Sequence, residues 1–377
     1  MIQDLYNIMN EKFGEQMKQT PQSPKFHGEG DVLTHTIMVC DALKLLPEYV
    51  ELTENQQEIL RIAAFMHDIG KIKTTVFTDG DWHSPSHAIK GSKMARDFLF
   101  KEFILGGRKD LMEMRETICT LIRYHSFPTH AIENENGVSK MHQIASNSLL
   151  MPDFSIKMLC ILSKADNLGR ICDDKEEVLD KIELCKELAI EEGCYESCYP
   201  FPSDHTRRLF LSGRGSNIWK DAELYDETCG TVYLMSGLPG VGKDYTIKKQ
   251  LGDIPMVSLD EIRKEMKVSP VENQGVVAGV ARELAKEYLR KHQSFVWNAT
   301  NLTQAMREQL IDLFESYKAN VHIIYVESDY NRLSMQNRDR KDIVPQNVID
   351  NMLGKLVPPL AFEARNVTWI CSNNNKN

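Results

Sequence analysis

Six residues of metal-ligand type recur through the first half of the chain. His67 and Asp68 stand side by side in AFMHDIGK, His35 precedes them, His87 and His125 follow, and Asp166 closes the set in SKADNLGR. A His-Asp pair alone is common and usually solvated or capping. Neighbours on a helix point about 100° apart, however, which lets both flank one ion. Imidazole and carboxylate together suit a borderline or hard divalent ion such as Mn, Fe, Co, Ni or Zn. A cationic centre of that kind polarises a phosphate oxygen and lowers the pKa of an attacking water. The chemistry pointed to is hydrolysis of a phosphate ester.

Other polar residues near this set carry two readings each. Lys71 follows His67 by one turn and suits either a phosphoryl oxygen or open solvent. His27 and Glu29 precede His35 and suit substrate contact or loop stabilisation equally. Arg170, four residues after Asp166, is spaced to reach a second phosphate or to remain an ordinary surface residue. His83, His130 and His142 read as structural or surface histidines.

A second centre lies in the other half. Gly237-Leu-Pro-Gly-Val-Gly-Lys243 follows an apolar run and opens a helical pattern. Gly237, Gly240 and Gly242, with Val241 between, let backbone N–H groups curl around phosphates, and Lys243 reaches the β- and γ-phosphates. ATP or another nucleoside triphosphate with Mg2+ or Mn2+ is the expected cofactor. The next position normally holds a Ser or Thr whose hydroxyl binds magnesium, but here it is Asp244. A carboxylate can hold the cation directly or through water, yet it also repels a triphosphate. Downstream, Asp260 sits at a predicted strand end with Arg263 one turn later, a position where a carboxylate can take the proton of an attacking hydroxyl. Arg332, Arg338 and Arg340 cluster in YNRLSMQNRDRKDIVP. Such a cluster suits charge stabilisation at a transferring phosphoryl group, although a solvated helix is the simpler reading of it alone.

Two kinds of element must position these residues. Stretches 33–46, 57–69, 87–103, 111–124, 154–166 and 175–192 place apolar residues at helical spacing, and almost nothing before residue 200 alternates like a strand. After Tyr199-Pro-Phe-Pro202 the texture changes. Apolar runs at 231–236, 255–259, 294–297, 321–326 and 367–370 alternate with helical stretches at 243–251, 273–291, 303–317, 330–337 and 345–354, which predicts a parallel sheet. The expected fold class is an all-α domain over 1–205, a linker over 206–228 and an α/β P-loop domain over 229–377. Charge divides the same way: from Thr228 onward the net is +2, leaving −11 for the first 227 residues. That balance argues against a non-specific nucleic-acid coat. Nine scattered cysteines without a CxxC pair indicate neither a zinc ribbon nor a disulfide framework. An N-terminus with acidic residues and no apolar core, and no long apolar span, make a cytoplasmic protein away from membranes the expectation.

The order His35, His67-Asp68, Asp166 resembles the HD-domain phosphohydrolase superfamily over roughly residues 20–170. The resemblance implies that these four bind a metal, with His87 and His125 in the places of the extra histidines of two-metal members. It extends to the HD domain attached to bacterial tRNA nucleotidyltransferases, through PKFHGEGDVLTHT, HDIGK and ADNLGR. That branch implies action on 2′-phosphates and 2′,3′-cyclic phosphates at RNA ends. Residues 229–365 are similar to the polynucleotide-kinase group of P-loop phosphotransferases. This implies that Lys243 binds phosphate, Asp260 is the general base, Arg263 holds the acceptor's phosphate, and Arg332, Arg338 and Arg340 lie in a lid. Two positions depart: Gln336 stands where a lid arginine is expected, and Asn298 where many relatives have Asp. The combination resembles the HD-Pnk RNA-repair enzymes, implying RNA or DNA termini as partners and a separate ligase downstream. The alternatives are an HD nucleotidase joined to a nucleoside or small-molecule kinase, and a nucleotide-gated sensor.

Overall fold

The computed structural model describes residues 2–102, 107–213, 218–268, 274–339 and 343–372. The chain divides into two compact units, one drawn from residues before Pro200, the other from Pro200 onward with a short segment ending at Met112. Among the described residues no helix is long and apolar enough to cross a membrane.

Helix starts in the first unit are set by capping residues. Asp31 accepts the Thr34 N–H at 2.9 Å and so begins the helix Val32–Leu45, which carries His35 on its buried face. Thr53 and Gln56 form a reciprocal capping box at the start of Glu54–Met66. That helix buries Ile59, Leu60, Ile62, Ala63 and Met66, and it stops at Met66. His67 is its C-cap and Asp68 lies in the turn beyond, so the pair predicted inside a helix over 57–69 sits at a helix end instead. The turn is tightened by the Lys71 N–H donating to the Asp68 carbonyl at 2.9 Å. Gly70 lets this turn approach the helix His87–Lys101: a Cβ there would stand 2.0 Å from the His87 carbonyl oxygen.

The helices His87–Lys101 and Lys109–Tyr124 are joined by a buried charge cluster in which Arg96 and Arg115 both donate to Glu116. Burial opposes ionisation of Glu116, but the two guanidinium groups hold it below its ordinary value. Ile156–Leu168, capped by Ser155, completes the core and carries Asp166 in its last turn. One feature departs from the all-helical expectation. Strands β1 (Val76–Thr78) and β2 (Asp81–His83) form a small antiparallel hairpin around Asp79 and Gly80, both at positive φ. Three residues per strand, mostly exposed, leave too little alternation to read.

The second unit is a five-stranded parallel sheet with order β4-β5-β3-β6-β7, formed by β3 (Thr231–Ser236), β4 (Met256–Ser258), β5 (Phe295–Asn298), β6 (Asn320–Glu327) and β7 (Asn366–Cys371). All five runs expected as strands are strands. Val232, Leu234, Phe295, Trp297, Val321 and Ile323 bury their side chains against Ala281, Ala285 and Leu289 of one helix and Leu310, Ile311 and Phe314 of another. The stretch 206–228, expected as a linker, includes most of the helix Asp204–Ser212. Arg208 of that helix donates to both carboxylate oxygens of Glu315 and to the Phe362 carbonyl, and Leu211 packs with Leu360 and Phe362. Its anchors are largely charged, which hides it from an apolar-spacing argument.

Candidate functional site

Four histidines of the helical unit have the same ring nitrogen engaged. His67, His87 and His125 donate Nδ1–H to the carbonyls of Ala64, Ser84 and Ile122, at 2.7, 2.9 and 2.8 Å. His35 Nδ1 lies 2.9 Å from Glu29 Oε1. The carbonyl bonds set the tautomers of His67, His87 and His125, and the Nε2 atoms converge: His35 to His67 at 3.3 Å, and His87 to His125 at 3.4 Å. Carboxylates close the two pairs. Asp68 Oδ2 lies 3.3 Å from His67 Nε2, and its Oδ1 lies 3.4 Å from His87 Nε2. Asp166 Oδ1 lies 3.1 Å from His35 Nε2 and 3.8 Å from His67 Nε2.

These distances fit a bound cation. With bonds of about 2.1 Å to nitrogen or oxygen, ligand atoms around a four-coordinate ion are spaced about 3.4 Å apart. Asp68 Oδ1 is buried and takes no hydrogen bond, a costly arrangement that a cation would relieve. His35, His67 and Asp68, joined by Asp166, would hold one ion, and Asp68, His87 and His125 a second. A divalent ion there would supply Lewis-acid polarisation of a phosphoryl oxygen. Burial pushes His125 down to about 3 and lowers His87, which keeps both imidazoles neutral. For His35 burial is outweighed by Asp166 and Glu29, which raise it to about 9. Asp68 and Asp166 stay well below the carboxylate range despite burial, held by Lys71 and His67 in one case and by Arg170 and His35 in the other.

The surrounding residues resolve into distinct contacts. Lys71 Nζ lies 2.7 Å from Asp68 Oδ2 and donates to Gln22 Oε1 at 2.6 Å, so it is buried rather than a surface lysine. Arg170 makes a two-point contact with Asp166. Glu29 accepts from the Ile171 N–H and lies 2.9 Å from Nδ1 of both His27 and His35. The two histidines beside it outweigh burial and hold its carboxyl below the ordinary range. The sequence left Glu29 between substrate contact and loop support; its place is behind His35. Gln22 went unnoticed because nothing in its local sequence sets it apart. His142 pairs with Glu192, His130 lies 3.9 Å from Glu133, and His83 ends β2, all outside the cluster.

In the second unit the loop after β3 takes the form a phosphate cradle needs. Gly237, Gly240 and Gly242 have φ of 142°, 86° and 93°, and a Cβ on Gly237 would meet the Val326 carbonyl oxygen at 2.4 Å. Lys243 begins the helix Lys243–Gln250, and its Nζ donates to the carbonyls of Gly237 and Leu238 at 3.0 and 2.9 Å. Val241 is buried beneath the loop. Asp244 accepts a hydrogen bond from Asn298 Nδ2 at 2.7 Å. The segment after β5 braces the loop from the side, with the Gly237 N–H donating to the Thr300 carbonyl and Asn301 Nδ2 to the Met235 carbonyl.

Asp260 lies in the first turn of the short helix Leu259–Glu265, two residues past the end of β4, where it pairs with Arg263. It shares the carboxyl edge of the sheet with the loop, the side where open α/β sheets bind their ligands. The Asp260 side chain is 75% exposed. Arg332 and Arg338 lie on the helix Tyr330–Arg338, half-buried and exposed respectively. Arg340 lies outside the described residues. Asn337 of the same helix exchanges two hydrogen bonds with the Val344 backbone.

Two known families match the two parts of the chain. Residues 32–170 match the HD domain family, and residues 232–359 match the AAA domain family. The chain joins an HD domain to a P-loop domain. A stretch of 134 residues is 27% identical to an L-seryl-tRNA(Sec) kinase of Methanococcus maripaludis, covering 33% of this chain and 52% of that protein. The similarity thus spans about half the length of that relative. The HD match encloses all six candidate metal ligands, and the P-loop match encloses Gly237 through Asp244, Asp260, Arg263 and the arginine cluster.

Proposed function

We propose that the chain heals RNA ends, its HD domain removing a 2′,3′-cyclic or 2′-phosphate and its P-loop domain phosphorylating a 5′-hydroxyl. The reading is carried by one observation: a buried cluster of ligands suited to phosphoester hydrolysis and a phosphate-binding loop occur in a single chain. In the first reaction water adds to phosphorus, a P–O bond to the ribose breaks, and the ribose oxygen takes up a proton; a 2′-phosphate leaves after one such step and a cyclic phosphate after two. Lys71 and Arg170, now paired with Asp68 and Asp166, supply the positive charge that faces the phosphate. In the second, Asp260 takes the proton of the 5′-hydroxyl, the new O–P bond forms at the γ-phosphorus, and ADP leaves. The similarity to a kinase whose name places its acceptor on a tRNA favours a hydroxyl borne by RNA over a free nucleoside. It also motivates a second reading, in which the acceptor is the side chain of an aminoacyl-tRNA.

The test incubates the full chain with γ-labelled ATP and, in parallel, a 5′-hydroxyl oligoribonucleotide, seryl-tRNA or thymidine. A second assay follows loss of end phosphate from an oligoribonucleotide with a 2′,3′-cyclic terminus. Label on the oligonucleotide together with loss of end phosphate is expected. Label only on seryl-tRNA would establish the second reading, and label only on thymidine would defeat both.

A further inference from the structure

Most phosphate loops pair a hydroxyl on the helix with a carboxylate at a neighbouring strand end to hold the magnesium ion. In this chain the carboxylate stands on the helix, and an amide stands at the strand end. The helix position after Lys243 is Asp244, and the end of β5 is Asn298. The two side chains touch, with Asn298 Nδ2 donating to Asp244 Oδ1 at 2.7 Å, and Asn298 is itself 9% exposed. The nearest aliphatic hydroxyl further along the helix, that of Thr246, is buried and turned back to the Gly242 carbonyl, to which it donates at 3.0 Å. Asp244 Oδ2 accepts no hydrogen bond among the described residues, so its lone pairs remain for a cation.

We propose that Asp244 is the protein's ligand for the divalent cation of the nucleotide, and that Asn298 is the positioning residue that turns it toward that ion. This deepens the kinase reading and rests on it. The pair still holds one carboxylate, on the loop helix rather than at the strand end. The residues fit the ion. A lone carboxylate beside a triphosphate is repulsive, whereas a divalent cation between them converts repulsion into attraction on both sides. A neutral hydroxyl in the same place would carry no such penalty. Nucleotide binding by this chain therefore depends on the divalent ion more steeply than binding by a hydroxyl-bearing loop.

The experiment measures binding of a fluorescent non-hydrolysable ATP analogue to the full chain, with Mg2+ or with EDTA. An Asp68→Ala background removes cation binding at the HD site. Four proteins are compared: that background alone, and with Asp244→Thr, Asn298→Asp, or both. Asp244→Thr is expected to weaken binding with Mg2+ by roughly tenfold and to strengthen it in EDTA, as loss of a charged ligand demands. Asn298→Asp alone sets two carboxylates against each other and weakens binding in EDTA further. The double variant rebuilds the usual hydroxyl–carboxylate pair and should return Mg2+-dependent binding to within a few-fold of the background. Matching thermal melts show that all four are folded. An unchanged ratio of Mg2+ to EDTA affinity in Asp244→Thr overturns the assignment, and so does a double variant no better than its worse parent. If the variants behave as expected but wild type labels no RNA hydroxyl, the kinase reading fails while the ligand assignment stands. Absence of magnesium-nucleotide binding in the background overturns both.

Discussion

At the scale of single residues, a ligand's partner matters as much as the ligand. His35 faces the cluster with Nε2 while its Nδ1 lies 2.9 Å from the Glu29 carboxylate, and Glu29 is itself bonded to His27 and the Ile171 N–H. Loss of such a support costs about 10–100-fold in metal affinity where it has been removed from comparable sites. Glu29→Gln keeps the shape, but its amide can turn an N–H toward His35 and lose the charge that favours Nδ1 protonation. We expect the variant to bind Co2+ or Mn2+ at least several-fold more weakly, read by metal titration and by the change in the Co2+ absorption spectrum. His83→Gln, on the exposed hairpin outside the cluster, serves as the control, and equal affinities in all three proteins would remove Glu29 from its role. The ligand types were legible in sequence because His and Asp at helix-compatible positions are few. Their supports were not, because Glu29 reaches His35 through the folded chain and looks like any loop carboxylate before folding. Asn298 and Asp244 make the same point across 54 positions.

At the scale of elements, the helical and strand patterns were legible wherever burial imposed a period. Strands β3, β5 and β6 are apolar runs because consecutive residues along them are buried, whichever face they point to. Where burial is slight or anchors are charged, the pattern fails, as for the exposed hairpin and for the helix Asp204–Ser212 held by Arg208. The end of a helix also escapes periodicity, so His67 and Asp68 were expected inside an element that in fact stops at Met66. That stop is functional, because it lets the turn bring Asp68 against the helix that opens with His87. Gly70 is the contact point, with no room for a Cβ beside the His87 carbonyl. Gly70→Ala must push the turn and the helix apart, separating Asp68 from His87. Overpacking of this kind costs roughly 1–3 kcal/mol in stability. The expected outcome is loss of most phosphoesterase activity and of the second equivalent of bound metal, with nucleotide binding unchanged. Full metal content in the variant would show that the close approach does not set the cluster.

At the scale of the whole molecule, the two units carry separate chemistries with separate charge. The first 227 residues hold a net −11 and the remainder +2, and each candidate site draws all its residues from one unit. An acidic surface suits an enzyme that meets a terminus, where few phosphates need neutralising, better than one that tracks along a strand. Because no residue is shared, damage to one site should leave the other intact, as effects at sites with no common partners add independently. Asp68→Ala removes the carboxylate common to both groups of metal ligands, and Lys243→Ala removes the amine that would follow the transferring phosphoryl. On the proposed RNA-end reading, each variant alone should heal only one kind of RNA end. Mixed in equal amounts at fixed total protein, they should heal both, each reaction at about half the wild-type rate since half the chains retain each site. Gel analysis of a broken stem-loop with a 2′,3′-cyclic phosphate on one fragment and a 5′-hydroxyl on the other measures both reactions together. A mixture that completes neither reaction at that rate would mean that one site works only when the other, on the same chain, is intact. That outcome would turn two joined activities into a coupled one.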